Sequence, residues 1–204
     1  DNEGVKPSGW MAPERLFSSP QMQRRYDEVD ISVFTPKFAL IPRQFYNSSS
    51  AREMLGEVAD LSAVDTVESV PVPQFASVLL YSDNTGGSLP RVIAEMVLKM
   101  DGNKVAPLPE IYYMLSSLDT IGEYNKIVAS YVDGCLYLVI AQGKTLLLCN
   151  AFPAQDFTTA EYFLFLALKK LQLNPEMSTV YFRTPLDEED EITLYRYFKN
   201  VEQI

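Results

Sequence analysis

Five consecutive acids, Asp187-Glu188-Glu189-Asp190-Glu191, form the densest run of groups able to hold a cation. Hard divalent ions take carboxylate oxygens, but consecutive acids on a helix point in different directions. The run also sits where the positive N-terminal end of a last helix, expected over Ile192 to Val201, favours it. We read it as the solvated start of that helix, not as a metal centre. The chain has no histidine. That removes Ser-His-Asp and Cys-His catalysis and the usual zinc sites.

Two cysteines, Cys135 and Cys149, lie in consecutive apolar runs. If a two-residue turn joins those runs as strands, facing residues differ in parity, and 135 and 149 are both odd. The thiols are then expected on opposite faces of the sheet, and no disulfide is expected. Each reads as a small buried hydrophobe in a reducing compartment. Gly86-Gly87 lies between a strand and a helix start, where a glycine turn can hold a phosphate. There is no G-x-x-x-x-G-K-[ST] pattern and no lysine placed to help, so we read turn chemistry there.

Composition narrows the partners. The chain has 204 residues, 27 acidic and 17 basic, for a net charge of −10. Phosphate backbones and anionic lipid surfaces need clustered Lys and Arg, so nucleic acid and membrane partners are not expected. The apolar fraction, 47%, suffices for a real core. No apolar run approaches the roughly 20 residues of a membrane span. No basic start followed by an apolar core marks a secretory leader. A cytoplasmic protein is the expectation.

The elements that must position these groups are clearest from Lys126 to Leu173. Ile127–Val132 is rich in β-branched and aromatic residues and reads as a strand. Asp133-Gly134 supplies the positive φ angles of a type I′ hairpin turn. Cys135–Ala141 and Thr145–Ala151 read as further strands, joined by a turn at Gln142-Gly143-Lys144. Their continuous apolar character predicts cover on both faces. A helix follows. Thr158 and Glu161 have capping-box spacing, with Phe157 and Tyr162 as a hydrophobic staple, and Asn174-Pro175 stops it. From Ala160 to Leu168 only Glu161 is polar, which predicts burial on most sides.

Elsewhere the signals are shorter. Val29–Thr35 and Phe38–Ile41 read as strands closed by Pro36 and Pro42. Ser50 and Glu53 have capping-box spacing before an apolar stripe of Met54, Leu55, Val58 and Leu61. Thr66–Val72 reads as an edge strand because Pro71 cannot donate to a central ladder. Ala76–Tyr81 and Thr179–Phe182 read as strands. Helices are expected from Pro90 to Met100 and after Pro109, through Ile111, Met114 and Leu118.

Three strands, then helix, strand and helix, is the order of one half of the actin-like (ribonuclease H-like) fold. The chain also resembles an uncharacterised bacterial family, a domain of unknown function whose members are assigned an actin-like ATPase fold. The resemblance rests on Phe34-Thr35-Pro36-Lys37-Phe38-Ala39-Leu40-Ile41-Pro42, on the meander with Asp133-Gly134, and on Phe157 through Pro175. It implies an α/β fold with two pseudo-repeated halves, each a mixed sheet flanked by helices. Residues 1–25 lack periodicity and read as an arm or loop, and on the resemblance 26–123 are a first half and 124–204 a second half. The first half is incomplete, because residues 1–28 contain no recognisable three-strand meander.

The resemblance also implies a place for nucleotide. In actin-like ATPases, Gly-containing turns after the first strand of each half hold phosphates, with an Asp near the metal. The matching positions here are Asp133 and Gly134, and the implied cofactor is ATP with Mg²⁺. This chain departs from that pattern. Leu136-Tyr137-Leu138 replaces the Ser/Thr-rich continuation, and no Gly follows Gly143 to supply the adenosine side. The expectation is therefore a non-catalytic interaction or scaffold protein, with no cofactor. Its partner is an unidentified protein or a second copy of itself. The alternative is an ATP-binding protein or weak Mg-dependent ATPase. A small-molecule pocket built from the 12 Tyr and 11 Phe is a third class.

Overall fold

The computed structural model describes residues 29–83 and 105–204, with Pro20, Arg24, Arg25 and Asp27. The Gly86-Gly87 loop, the helix expected from Pro90 and most of the N-terminal arm lie outside the described residues. The chain divides into two compact units. One comprises residues 1–71 and 78–110, the other residues 72–77 and 111–204.

In the first unit, β1 (Ser32–Val33) pairs in parallel with β5 (Leu108–Pro109). A three-stranded sheet has the order β2 (Phe38–Pro42), β4 (Ser77–Asp83), β3 (Thr66–Val72). The Pro71-bearing strand is thus at an edge, where its missing N–H leaves no gap in a central ladder. One short helix, α1 (Ala51–Gly56), places Leu55 against Val78 and Leu80. The Ser50 side chain makes no capping bond. Asn47 caps the preceding turn instead, its side-chain oxygen accepting from Ser49 N at 3.0 Å. Because α1 stops at Gly56, the expected stripe breaks and Val58 is 68% exposed.

The second unit is built on a five-stranded sheet of order β10-β9-β6-β7-β8. Its strands are β6 (Asn125–Val132), β7 (Cys135–Gln142), β8 (Thr145–Pro153), β9 (Thr179–Phe182) and β10 (Asn200–Gln203). The three-strand meander is antiparallel, and β9 adds to β6 in parallel. Asp133 (φ +52°) and Gly134 (φ +68°) make the expected tight turn, and Gly143 (φ +56°) makes the next. The helices are α2 (Glu110–Ser117), α3 (Phe157–Lys170) and α4 (Glu188–Tyr195). The α3 face of the sheet packs Ile127, Leu138 and Ile140 against Leu164, Leu168 and Phe182. At such a site, truncating Leu164 to Ala costs about 2–5 kcal/mol.

Three expectations are corrected here. First, α3 is capped by Asp156, whose side chain accepts from Thr159 N at 2.7 Å, so Thr158 is already inside the helix. Tyr162 is 62% exposed and staples nothing, and burial is confined to one face of α3, at Ala160, Leu164, Ala167 and Leu168. Second, the last helix begins at Glu188 and the acids form its first turn. The helix ends at Tyr195, and Asn200 and Val201, expected at its end, instead open β10, parallel to β9. Third, Ile140 faces Leu148 while Ala141 faces Leu146. Leu147 is therefore an extra residue, and this bulge reverses the parity of all pairing beyond it. Cys149 faces Val139, so both thiols lie on one face. They stand four residues apart along the strand, roughly 13 Å at strand rise and beyond disulfide reach. Both are free.

Candidate functional site

The Asp133-Gly134 turn ends β6 and opens β7, with Val132 facing Cys135. Asp133 is exposed. The turn has a neighbour from its own chain. Ala154 N donates to Gly134 O at 2.8 Å, and a Cβ on Gly134 would lie 3.5 Å from Ala154 O. The Tyr131 hydroxyl donates to that same Ala154 oxygen at 3.2 Å, and Tyr131 N donates to Thr184 Oγ1 at 2.8 Å. The segment after β8 is thereby fastened onto the hairpin, continuing the β7–β8 ladder by one pair.

The surroundings of Tyr131, two residues before Asp133, are acidic. Burial raises the Tyr131 hydroxyl pKa above its ordinary value, and the charges of Asp156 and Asp190 raise it further. Burial, then the charge of Asp190, holds the Glu161 carboxyl above the usual value. Asp190 is raised in turn by burial and by Asp187 and Glu189. Fields of this sign repel a bare phosphate. The basic residue after β9, Arg183, lies over the Tyr113 ring at 5.5 Å. Among the described residues no three of His, Cys, Asp and Glu converge to hold a metal ion.

Two polar clusters carry no sequence signature. In the first unit, the buried Asp65 carboxylate accepts from Lys37 Nζ (2.8 Å), Ser62 N (2.6 Å), Ser62 Oγ (2.9 Å) and Ser82 Oγ (2.8 Å). Arg52 holds the Asp65 and Ser62 carbonyls, each at 2.7 Å. The Lys37 ammonium, then the Ser62 and Ser82 bonds, hold the Asp65 carboxyl far below the usual range. Four donors of the chain itself, three of them on Oδ2, take this buried carboxylate, so the cluster fastens a loop. In the second unit, Tyr181 donates to Glu123 Oε2 at 2.5 Å, and Thr179 donates to Oε1 at 3.4 Å. The Tyr181 bond lowers the Glu123 carboxyl, while burial, then that bond, raises the Tyr181 hydroxyl.

A different kind of feature lies between β8 and α3. Leu148, Asn150 and Phe152 from the strand, with Phe163, Lys170 and Leu171 from the helix, line an apolar groove of about 260 Å³. Phe152 and Phe163 stack at 5.1 Å. Sequence reasoning missed this groove because continuous apolar runs in β8 predicted full cover, whereas β8 is an edge strand whose apolar residues are only half-buried.

Comparison with known proteins assigns the class first. A solved structure from Bacteroides thetaiotaomicron VPI-5482, described as a protein with actin-like ATPase fold and unknown function, is similar with a TM-score of 0.65. Identity is 17%, over 94% of this chain and 74% of that one. The chain has the actin-like ATPase fold. A type IV pilus biogenesis complex, PilM-PilN, is similar at a TM-score of 0.43 and 11% identity, over 82% of this chain and 65% of that one. The family model described as protein of unknown function (DUF3822) matches residues 13–201, and the chain belongs to that family. No curated protein matches the sequence. No helix among the described residues is long and apolar enough to cross a membrane.

Proposed function

We propose that this chain is a non-catalytic interaction or scaffold protein of the cytoplasm, which keeps the actin-like architecture without its nucleotide chemistry. The observation that carries this reading is the tight Asp133-Gly134 turn, which the resemblance matches to a phosphate turn, with Ala154 N already bonded to Gly134 O. A two-residue hairpin offers few converging backbone N–H groups, and one side of it is taken by the chain itself. The acidic neighbours of Tyr131 and the engagement of Arg183 with Tyr113 favour the same reading. The half-buried groove between β8 and α3 favours a protein partner, because an apolar surface rimmed by polar groups is what such partners cover.

Titration calorimetry with ATP and with ADP, each with Mg²⁺, tests it. The expected result is no binding heat up to nucleotide of about 1 mM, where the binding free energy is only about −4 kcal/mol. Micromolar binding that Asp133→Ala abolishes overturns the reading and establishes an ATP-binding protein.

A further inference from the structure

We infer that β8 is a self-association edge: two copies of this chain pair antiparallel through β8, joining their five-stranded sheets into one across a two-fold axis near Asn150. The inference rests on the interaction-module reading and names its partner.

The backbone argues first. Among the described residues nothing pairs with the outer side of β8. An unpaired edge is a template for another strand unless charge or Pro blunts it. From Thr145 to Phe152 the strand has no charged residue and no Pro. Ala154 N donates inward to Gly134 O. Backbone groups alternate in direction along an antiparallel ladder, so Cys149 and Ala151 direct theirs outward. With the axis at Asn150, Cys149 faces Ala151 of the second copy, and the two exchange both N–H···O bonds, twice by symmetry. Pro153, another odd-numbered residue, then lacks only an outward N–H, and its carbonyl still accepts.

The side chains argue second. The same register sets Leu148 opposite Phe152 of the second copy, on the groove side of the sheet. The exposed Asn150 amides meet at the axis, where each is both donor and acceptor. Charge is self-complementary in this direction. Lys144 precedes β8 and Asp156 follows it, so the basic end of one strand lies beside the acidic end of the other. A two-fold interface requires such self-matching.

Sedimentation velocity and oxidative cross-linking on the full chain test this at about 0.15 M salt, where the repulsion between two copies of net charge −10 is screened beyond about 8 Å. Wild type is expected to reach twice 23.0 kDa at micromolar protein. Ala151→Pro removes an outward N–H without touching the β7 ladder, and Asn150→Asp sets like charges across the axis. Each is expected to weaken the dimer about tenfold or more, with a melting temperature unchanged in protein dilute enough to be monomeric. If Ala151→Pro does not fold, Asn150→Asp decides. Asn150→Cys is expected to cross-link between copies under mild oxidation, because facing non-hydrogen-bonded residues have Cα atoms about 4.5 Å apart. A monomeric wild type at about 50 µM overturns the inference. So does a dimer insensitive to both substitutions, or a dimer formed only after residues 1–28 are removed, which makes that segment the occupant of the edge. ATP binding by a substitution-sensitive dimer sinks the non-catalytic reading alone. A monomer that binds no nucleotide sinks the dimer alone.

Discussion

Cys149 lies opposite Val139 and on the same face as Cys135, because Leu147 is an extra residue in the β7–β8 ladder. Burial pushes the Cys149 thiol pKa up to about 12 and raises that of Cys135 above its ordinary value. The thiolate is the reactive form, so at pH 8 only about one Cys149 in ten thousand is poised to react. Titration with an aromatic disulfide reagent should show both thiols slow in native protein and two thiols per chain after denaturation. Fast native labelling of Cys149 would contradict its burial.

What was legible in the sequence were elements with local causes. The meander was readable because Asp133, Gly134 and Gly143 had to supply positive φ between apolar runs. The bulge was not, since an extra residue inside Leu146-Leu147-Leu148 has no composition of its own. α4 starts at Glu188 rather than at the first apolar residue, Ile192, because Glu188–Glu191 are what its positive end attracts. β10 was missed because its polar edge sequence carries no strand pattern. The turn at Asp133 was legible as a turn. That Ala154 fastens onto it was not, since the two residues that meet, Gly134 and Ala154, are far apart in sequence.

Asp65 is held charged by partners 28 and 17 residues distant in sequence, Lys37 and Ser82. Its folded carboxyl titrates well below the ordinary value of 3.8. The linked stability is therefore fully present above that ordinary value and is lost as pH falls through the folded one. Asp65→Asn should lower the melting temperature at pH 7 by about 5 °C or more. The gap to wild type should narrow below the ordinary carboxylate value. Melting curves at pH 7 and pH 3 measure it, and a gap that widens in acid is the contrary result.

The start of α3 offers a choice between two caps. Asp156 accepts from Thr159 N, while Thr158 lies within the first turn. Removing a side-chain cap typically shifts a domain of this size by about 3 °C. Asp156→Ala should do so, and Thr158→Ala should change the melting temperature by about 1 °C or less. The reverse order of effects would restore the capping box expected from Thr158 and Glu161.

Glu161 has the opposite relation to pH. Its Oε1 is buried without a partner, and burial together with Asp190 raises its carboxyl above the ordinary value of 4.5. A raised acid favours the protonated folded state, so ionisation costs stability as pH rises above 4.5 towards and through the folded value. Glu161→Gln removes that charge while keeping the shape. The variant should melt about 2 °C higher than wild type at pH 8 and match it at pH 4, where both side chains are neutral. A lower melting temperature at pH 8 would mean that the Glu161 carboxylate is stabilised by a partner, and a cation held with Asp190 would be the first to seek. Adding Mg²⁺ to wild type at pH 8 separates the cases: it should leave the melting temperature unchanged if the carboxylate is merely buried, and raise it if the two acids share an ion.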